Sequence, residues 1–188
     1  MGEGRLTGLV QPDRRSCGAA VVVATHLLTT PPEARADVTK AWFRTEVLAV
    51  HRQLTSVVDA GGRWQLPWPR ALGTPPWAVA RYLSGVTGDR HWTVLVRDRR
   101  SAFDRVLRAA RDGRTVPVYV GNRWLPRHVV LVIGVGPEGT VRCYDPARGV
   151  VARVTRREFG TAELGLSGWD RPWFVVLPAA HERGDPAG

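Results

Sequence analysis

The order of residue patterns along the chain predicts an α+β protein: helices gathered toward the N-terminus, packed on an antiparallel sheet supplied mainly by the C-terminal half. Two observations carry this. The early segments place apolar residues in long runs or at helical spacing, whereas HWTVLV, VPVYV, HVVLVIGV, TVRCYD, VVARV and PWFVVLP are short, β-branched and bounded by Gly, Pro or Asp. Helices first and strands after, without regular βαβ alternation, argue against a parallel doubly wound sheet.

The first helix starts at CGAAVVVATHLL, whose nearly continuous apolar character suits a helix buried on most sides, with Ser16 as its cap. Pro31 and Pro32 end it. ARADVTKAWFRTEVLAVHRQL follows, with Val38, Trp42, Phe43, Val47, Leu48 and Val50 at the spacing of an amphipathic helix. Residues 61–76 are too rich in Gly and Pro for a helix and read as a packed loop carrying Trp64 and Trp68. Thr74 before Pro75 opens a short helix ending at Gly85, and Ser101 caps another that stops at Gly113. HVVLVIGVGPEGTVRCYD reads as a hairpin turning at residues 136–139.

At 188 residues and 44% apolar content the chain predicts one globular domain over 1–188, with ragged tails at about 1–7 and 180–188. It opens with no signal-peptide pattern and holds no stretch of the ~18 apolar residues needed to cross a bilayer, so a cytoplasmic protein without a membrane span is expected. The net charge of +10 raises the question of nucleic acid. Lys40 is the only lysine, however, and the arginines are scattered without interleaved aromatics, so a solvated basic surface is expected and a nucleic-acid partner is not. Two cysteines far apart in sequence are too few for a disulfide framework or a four-cysteine metal site, and no metal or cofactor is predicted.

The residues that point to chemistry begin with Cys17. A thiolate near neutral pH needs stabilisation, which a helix N-terminus and a neighbouring imidazole both supply. Cys17 follows a polar turn, opens an apolar helix and precedes Gly18, Ala19 and Ala20, which leave room near the sulfur. Alone, it reads first as a buried structural cysteine at the start of a core helix. Gln11, six residues earlier, could join the Cys17 backbone N–H in holding an oxyanion, although such a residue is commonly just an exposed turn. His128 opens the most apolar strand, and Asp145 ends the strand paired with it, so both fall near one edge and the carboxylate could set the imidazole tautomer. An Asp-Pro pair is also a plain turn signal. His91 is the main rival base but lacks an Asp-ended partner strand. His26, His51 and His181 lie inside a helix, on the second helix and in the tail. Cys143 reads as core, and among the tryptophans Trp124 is the best candidate for a cleft wall.

QPDRRSCGAA, HVVLVIGV and VRCYDP together resemble the papain-like cysteine peptidases of the bacteriocin-leader-processing (double-glycine leader) type, in a stand-alone form. The resemblance covers residues 9–20 and 127–147. It implies a papain-like fold in a bacterial protein, with Cys17 as nucleophile, His128 as base, Asp145 as the acid that orients it and Gln11 as oxyanion donor. Ser16 stands where many relatives carry an acidic residue. The activity implied is thiol-dependent hydrolysis of a peptide or amide bond in a peptide or protein substrate. The alternatives are deamidation or transglutaminase-type acyl transfer, which use the same nucleophile, and a catalytically silent domain that only binds peptides.

Overall fold

The computed structural model describes residues 3–31, 38–58, 62 and 64–179. Its elements run α1 (Glu3–Leu6), α2 (Cys17–Thr29), α3 (Lys40–Leu54), a 3-10 turn (Arg70–Leu72), α4 (Pro76–Thr87), β1 (His91–Leu95), α5 (Arg99–Arg111) and β2 (Val116–Gly121). There follow β3 (Pro126–Val135), β4 (Val141–Asp145), β5 (Val150–Val154), α6 (Arg156–Thr161) and β6 (Arg171–Pro178). The six strands form one sheet in the order β1-β6-β2-β3-β4-β5, with every neighbouring pair antiparallel. The expected α+β architecture and all six strands are present.

An antiparallel sheet with one wet face would alternate apolar and polar residues, yet β3 reads as an unbroken apolar run. The reason is that both faces are covered. Val129 and Leu131 point into a cluster with Val21, Phe43, Val47 and Leu83 of α2, α3 and α4. Val130 and Val132 point the other way, into a cluster with Phe103 and Val106 of α5 and Phe159 of α6. α2 is the central helix: of its thirteen residues only His26, Leu28 and Thr29 escape full burial, which its all-round apolar sequence anticipates. Each of its buried valines contributes roughly 1.5–3 kcal/mol by leaving water.

Several boundaries differ from the sequence expectation, each because another polar group takes the terminal role. Ser16 precedes α2 but makes no capping bond. The Asp13 carboxylate accepts the N–H groups of Arg15 (2.8 Å) and Ser16 (2.9 Å), and the Ser16 hydroxyl turns back to the Asp13 carbonyl. Asp98, not Ser101, caps α5 by accepting from the Arg100 N–H at 3.0 Å. Thr74 does not cap α4, because its hydroxyl meets His51 Nδ1 at 3.2 Å; α4 also passes through Gly85 and stops at the left-handed Gly88.

α3 starts at Lys40 behind a Thr39 cap, so Val38 precedes the helix; residues 32–37 of the expected segment lie outside the described residues. The stretch read as a packed loop leaves Trp64 71% exposed, while Trp68 packs edge-on against Trp77 at 5.2 Å. The N-terminus is not ragged from Glu3 onward: α1 buries Leu6 completely. The expected C-terminal tail at 180–188 lies outside the described residues. α6, closed by a reciprocal Thr155 and Glu158 capping box, is an element the sequence reading did not find. No helix among the described residues is long and apolar enough to cross a membrane.

Candidate active site

The N-terminal segment before α2 does not wander. Gly8 N–H donates to the Gly149 carbonyl (2.7 Å), Gln11 N–H to the Pro146 carbonyl (2.8 Å) and the Tyr144 hydroxyl to the Leu9 carbonyl (2.7 Å). Residues 8–11 are therefore strapped to the turn that follows β4. A side chain at Gly149 would meet the Leu9 carbonyl at 2.9 Å, and its φ of +63° is one that L-residues rarely adopt, so glycine suits both demands.

That strap delivers Cys17 to the first position of α2, where the residue is 5% exposed and the first backbone N–H groups have no partner within the helix. Gly18 is matched to its neighbour: a Cβ there would stand 2.6 Å from Thr74 Cβ. The room beside Cys17 that small residues leave is thus filled at Gly18 by Thr74. Thr74 is itself held by His51 and by the Tyr119 hydroxyl, which donates to its carbonyl at 3.0 Å.

His128 and Asp145 meet where β3 and β4 run out together: His128 Nε2 lies 2.8 Å from Asp145 Oδ1, with both residues at or below 5% exposure. The Cys17 thiol lies close enough to the same imidazole to act on its charge. With Nε2 occupied by the carboxylate, Nδ1 is the ring nitrogen left for sulfur. Burial alone would hold the ring neutral; Asp145 and Cys17 together outweigh it and raise the imidazolium to about 9. Asp145 is pulled the other way: burial would raise its carboxyl, but donors from His128, Ser167 and the Ala147 N–H, with the His128 charge, hold it below the usual carboxylate range. The structure therefore brings Cys17, His128 and Asp145 into one line of contact.

Gln11 sits on the strap, but its amide is turned to its own loop. Nε2 donates to the Asp13 carbonyl at 2.5 Å, while Oε1 is buried with no partner among the described residues. A second N–H remains on that nitrogen for another acceptor.

The rival histidines are placed elsewhere. His91 on β1 bonds the Asp89 carbonyl, and burial lowers its ring to about 4. His26 is exposed near the end of α2, His51 is buried against Thr74, and His181 lies outside the described residues. Cys143 shares the face of Asp145, as strand alternation implies; burial and then the Asp145 charge push its thiol up to about 12. Trp124 is 67% exposed in the β2–β3 turn, with the Arg123 guanidinium 4.5 Å over its ring.

Two contributors escaped the sequence reading. Asp13 shapes the turn into α2, and Ser167 donates to Asp145 Oδ2 at 2.5 Å. The pair Ser167 and Gly168 is a turn signal in sequence, but nothing local connects it to Asp145.

No family model matches the chain. A curated protein, the probable methyltransferase PMT27 of Arabidopsis thaliana, is 35% identical over 52 residues, which is 28% of this chain; the chain thus spans only 6% of that protein's length. Among solved structures, the peptidase domain of Streptococcus ComA, a bi-functional ABC transporter, superposes with a TM-score of 0.49 at 16% identity, covering 91% of this chain and 96% of that one. A Bacillus anthracis protein described as a "putative C39-like peptidase" superposes with a TM-score of 0.50 at 12% identity, covering 93% of this chain and 94% of the other. With its helices laid on a six-stranded antiparallel sheet and matched over nearly its whole length, the chain has the papain-like fold of C39-like peptidase domains.

Proposed function

We propose that the chain is a thiol-dependent hydrolase or acyltransferase acting on a peptide or amide bond in a peptide or protein substrate. The observation that carries this is the buried His128–Asp145 bond at 2.8 Å with the Cys17 thiol beside the same imidazole. The raised imidazolium stands beside a sulfur at the start of α2, where the first backbone N–H groups of the helix also lie. The fold, one on which a C39-like peptidase is built, is in keeping with the reading.

In this scheme the Cys17 sulfur attacks the carbonyl carbon, and the carbonyl electron pair moves to oxygen. The free Cys17 N–H at the helix start and the unspent Gln11 N–H receive that oxyanion, the second after the amide turns from Asp13. The tetrahedral species collapses as the C–N bond breaks and His128 gives its proton to the departing amine. Water or a second amine then attacks the thioester carbonyl, returning a proton to His128 and releasing Cys17. Asp145 keeps the Nε2–H tautomer throughout, so that Nδ1 faces sulfur.

The test is labelling by a thiol-reactive amide-peptide probe. Labelling lost in Cys17→Ala and His128→Ala but retained in Cys143→Ala is the expected result. Equal labelling of wild type and Cys17→Ala, with both folded, overturns the assignment.

A further inference from the structure

The Asp145 side chain is 2% exposed, so water does not complete the shell of its carboxylate. Oδ1 receives two donors, His128 Nε2 at 2.8 Å and the Ala147 N–H at 3.0 Å, and Oδ2 receives the Ser167 hydroxyl at 2.5 Å. Two donors on one oxygen leave the carboxylate plane undefined, because the terminal torsion of an aspartate is broad. A third donor on the second oxygen fixes that plane.

Ser167 comes from a tight hairpin tip. Leu166 and Trp169 exchange both backbone hydrogen bonds (3.1 and 2.9 Å), and the two residues between them, Ser167 and Gly168, have φ of +49° and +81°. That is the pattern of a type I′ turn, whose first position prefers Asn, Asp or Gly. Serine is a poor local choice there. The tip is anchored by Leu166, buried in the α5-side core, and by the Gly165 N–H on Asp170 Oδ1 at 3.1 Å.

We infer that Ser167 is a positioning residue of the site, its hydroxyl locking the Asp145 carboxylate in the plane that holds the His128 ring toward Cys17. The inference rests on the reading of Cys17, His128 and Asp145 given above. It explains why a serine occupies a backbone position that suits it badly, and it adds a sequence-distant partner to Cys17, His128 and Asp145.

The test compares Ser167→Gly with Ser167→Ala. Both remove the hydroxyl, but only glycine also relieves the left-handed backbone, so the thermal midpoint of Ser167→Gly should exceed that of Ser167→Ala. The readouts are the His128 ring titration by NMR and the rate of Cys17 alkylation by iodoacetamide between pH 5 and 9. Tyr144 and Cys143 also face Asp145, but burial pushes both upward and out of this range, so His128 and Cys17 are the groups followed.

Positioning predicts that in both variants alike the His128 midpoint falls by about one pH unit and alkylation on the acid side slows by about tenfold. Restoration toward wild type by Ser167→Asn, which tolerates positive φ and supplies an N–H donor, would strengthen the result. Wild-type behaviour in both variants, with the wild-type His128 midpoint high, overturns the role of Ser167 and leaves the triad standing. A deficit in Ser167→Ala alone, following its lower midpoint, overturns it in favour of turn stability. A wild-type His128 titrating near 6.5 overturns the triad reading and this inference with it.

Discussion

At His128 and Asp145 burial and pairing oppose each other, and pairing wins at both ends, which gives the pair a defined pH window. The imidazolium is raised to about 9 from 6.5, so its contribution to stability is complete below about 6.5 and is lost as pH rises through 9. The carboxyl is lowered from 3.8, so its contribution is present above that value and is lost as pH falls through the still lower folded value. Wild type should therefore exceed a His128→Gln variant in thermal midpoint most between about pH 4 and 6.5. The excess is on the order of 2 kcal/mol, about 4–8 °C for a chain of this size, and shrinks toward pH 9. An excess that grows from pH 7 to 9 contradicts the assignment. For turnover, Gln11→Ala should cost about 10- to 1000-fold with folding intact, the range for loss of one oxyanion donor. Asp145→Asn should cost more if the carboxylate charge matters, and little if an amide can orient the ring equally well. Cys17, His128 and Asp145 could be put forward from sequence as candidates because each stands beside a local signal: a helix start, a strand start, an Asp-Pro turn. Ser167 and Asp13 were not, since a hydroxyl and a turn carboxylate acquire meaning only from partners that the folded chain brings to them.

Among the elements, the strands were legible almost to the residue, because β-branched runs bounded by Gly and Pro leave little freedom of interpretation. Helix ends were less so. A cap requires one polar side chain near a terminus, and α5 offers both Asp98 and Ser101, while Thr74 is diverted to His51. α6 is six residues long, too short to show a period. α2 supplies a sharp test of packing against propensity. Gly18→Ala should gain up to about 1 kcal/mol of helix propensity, yet a Cβ 2.6 Å from Thr74 must displace a residue fixed by both His51 and Tyr119. Overpacking of this kind costs about 1–3 kcal/mol, so a net loss in denaturant midpoint is expected, together with slower Cys17 alkylation as the helix start shifts. A gain in stability would mean that Thr74 yields easily.

Across the whole molecule, the site exists only because distant parts of the chain are tied together, and the tie is the strap of residues 8–11 on the turn after β4. The Tyr144 hydroxyl reaches the Leu9 carbonyl across 135 residues of sequence. Contacts of such separation are among the slowest to form, because the loop they close must be ordered before they contribute. The strap therefore also sets a timetable. On the proposed function, Cys17 emerges from the ribosome long before His128 and Asp145, so the activity proposed here would be absent while the nascent chain is still being made. In refolding from denaturant, enhanced Cys17 alkylation should accordingly appear with the last kinetic phase, not with early helix formation. Gly149→Ala, which loosens the strap, should lengthen the delay.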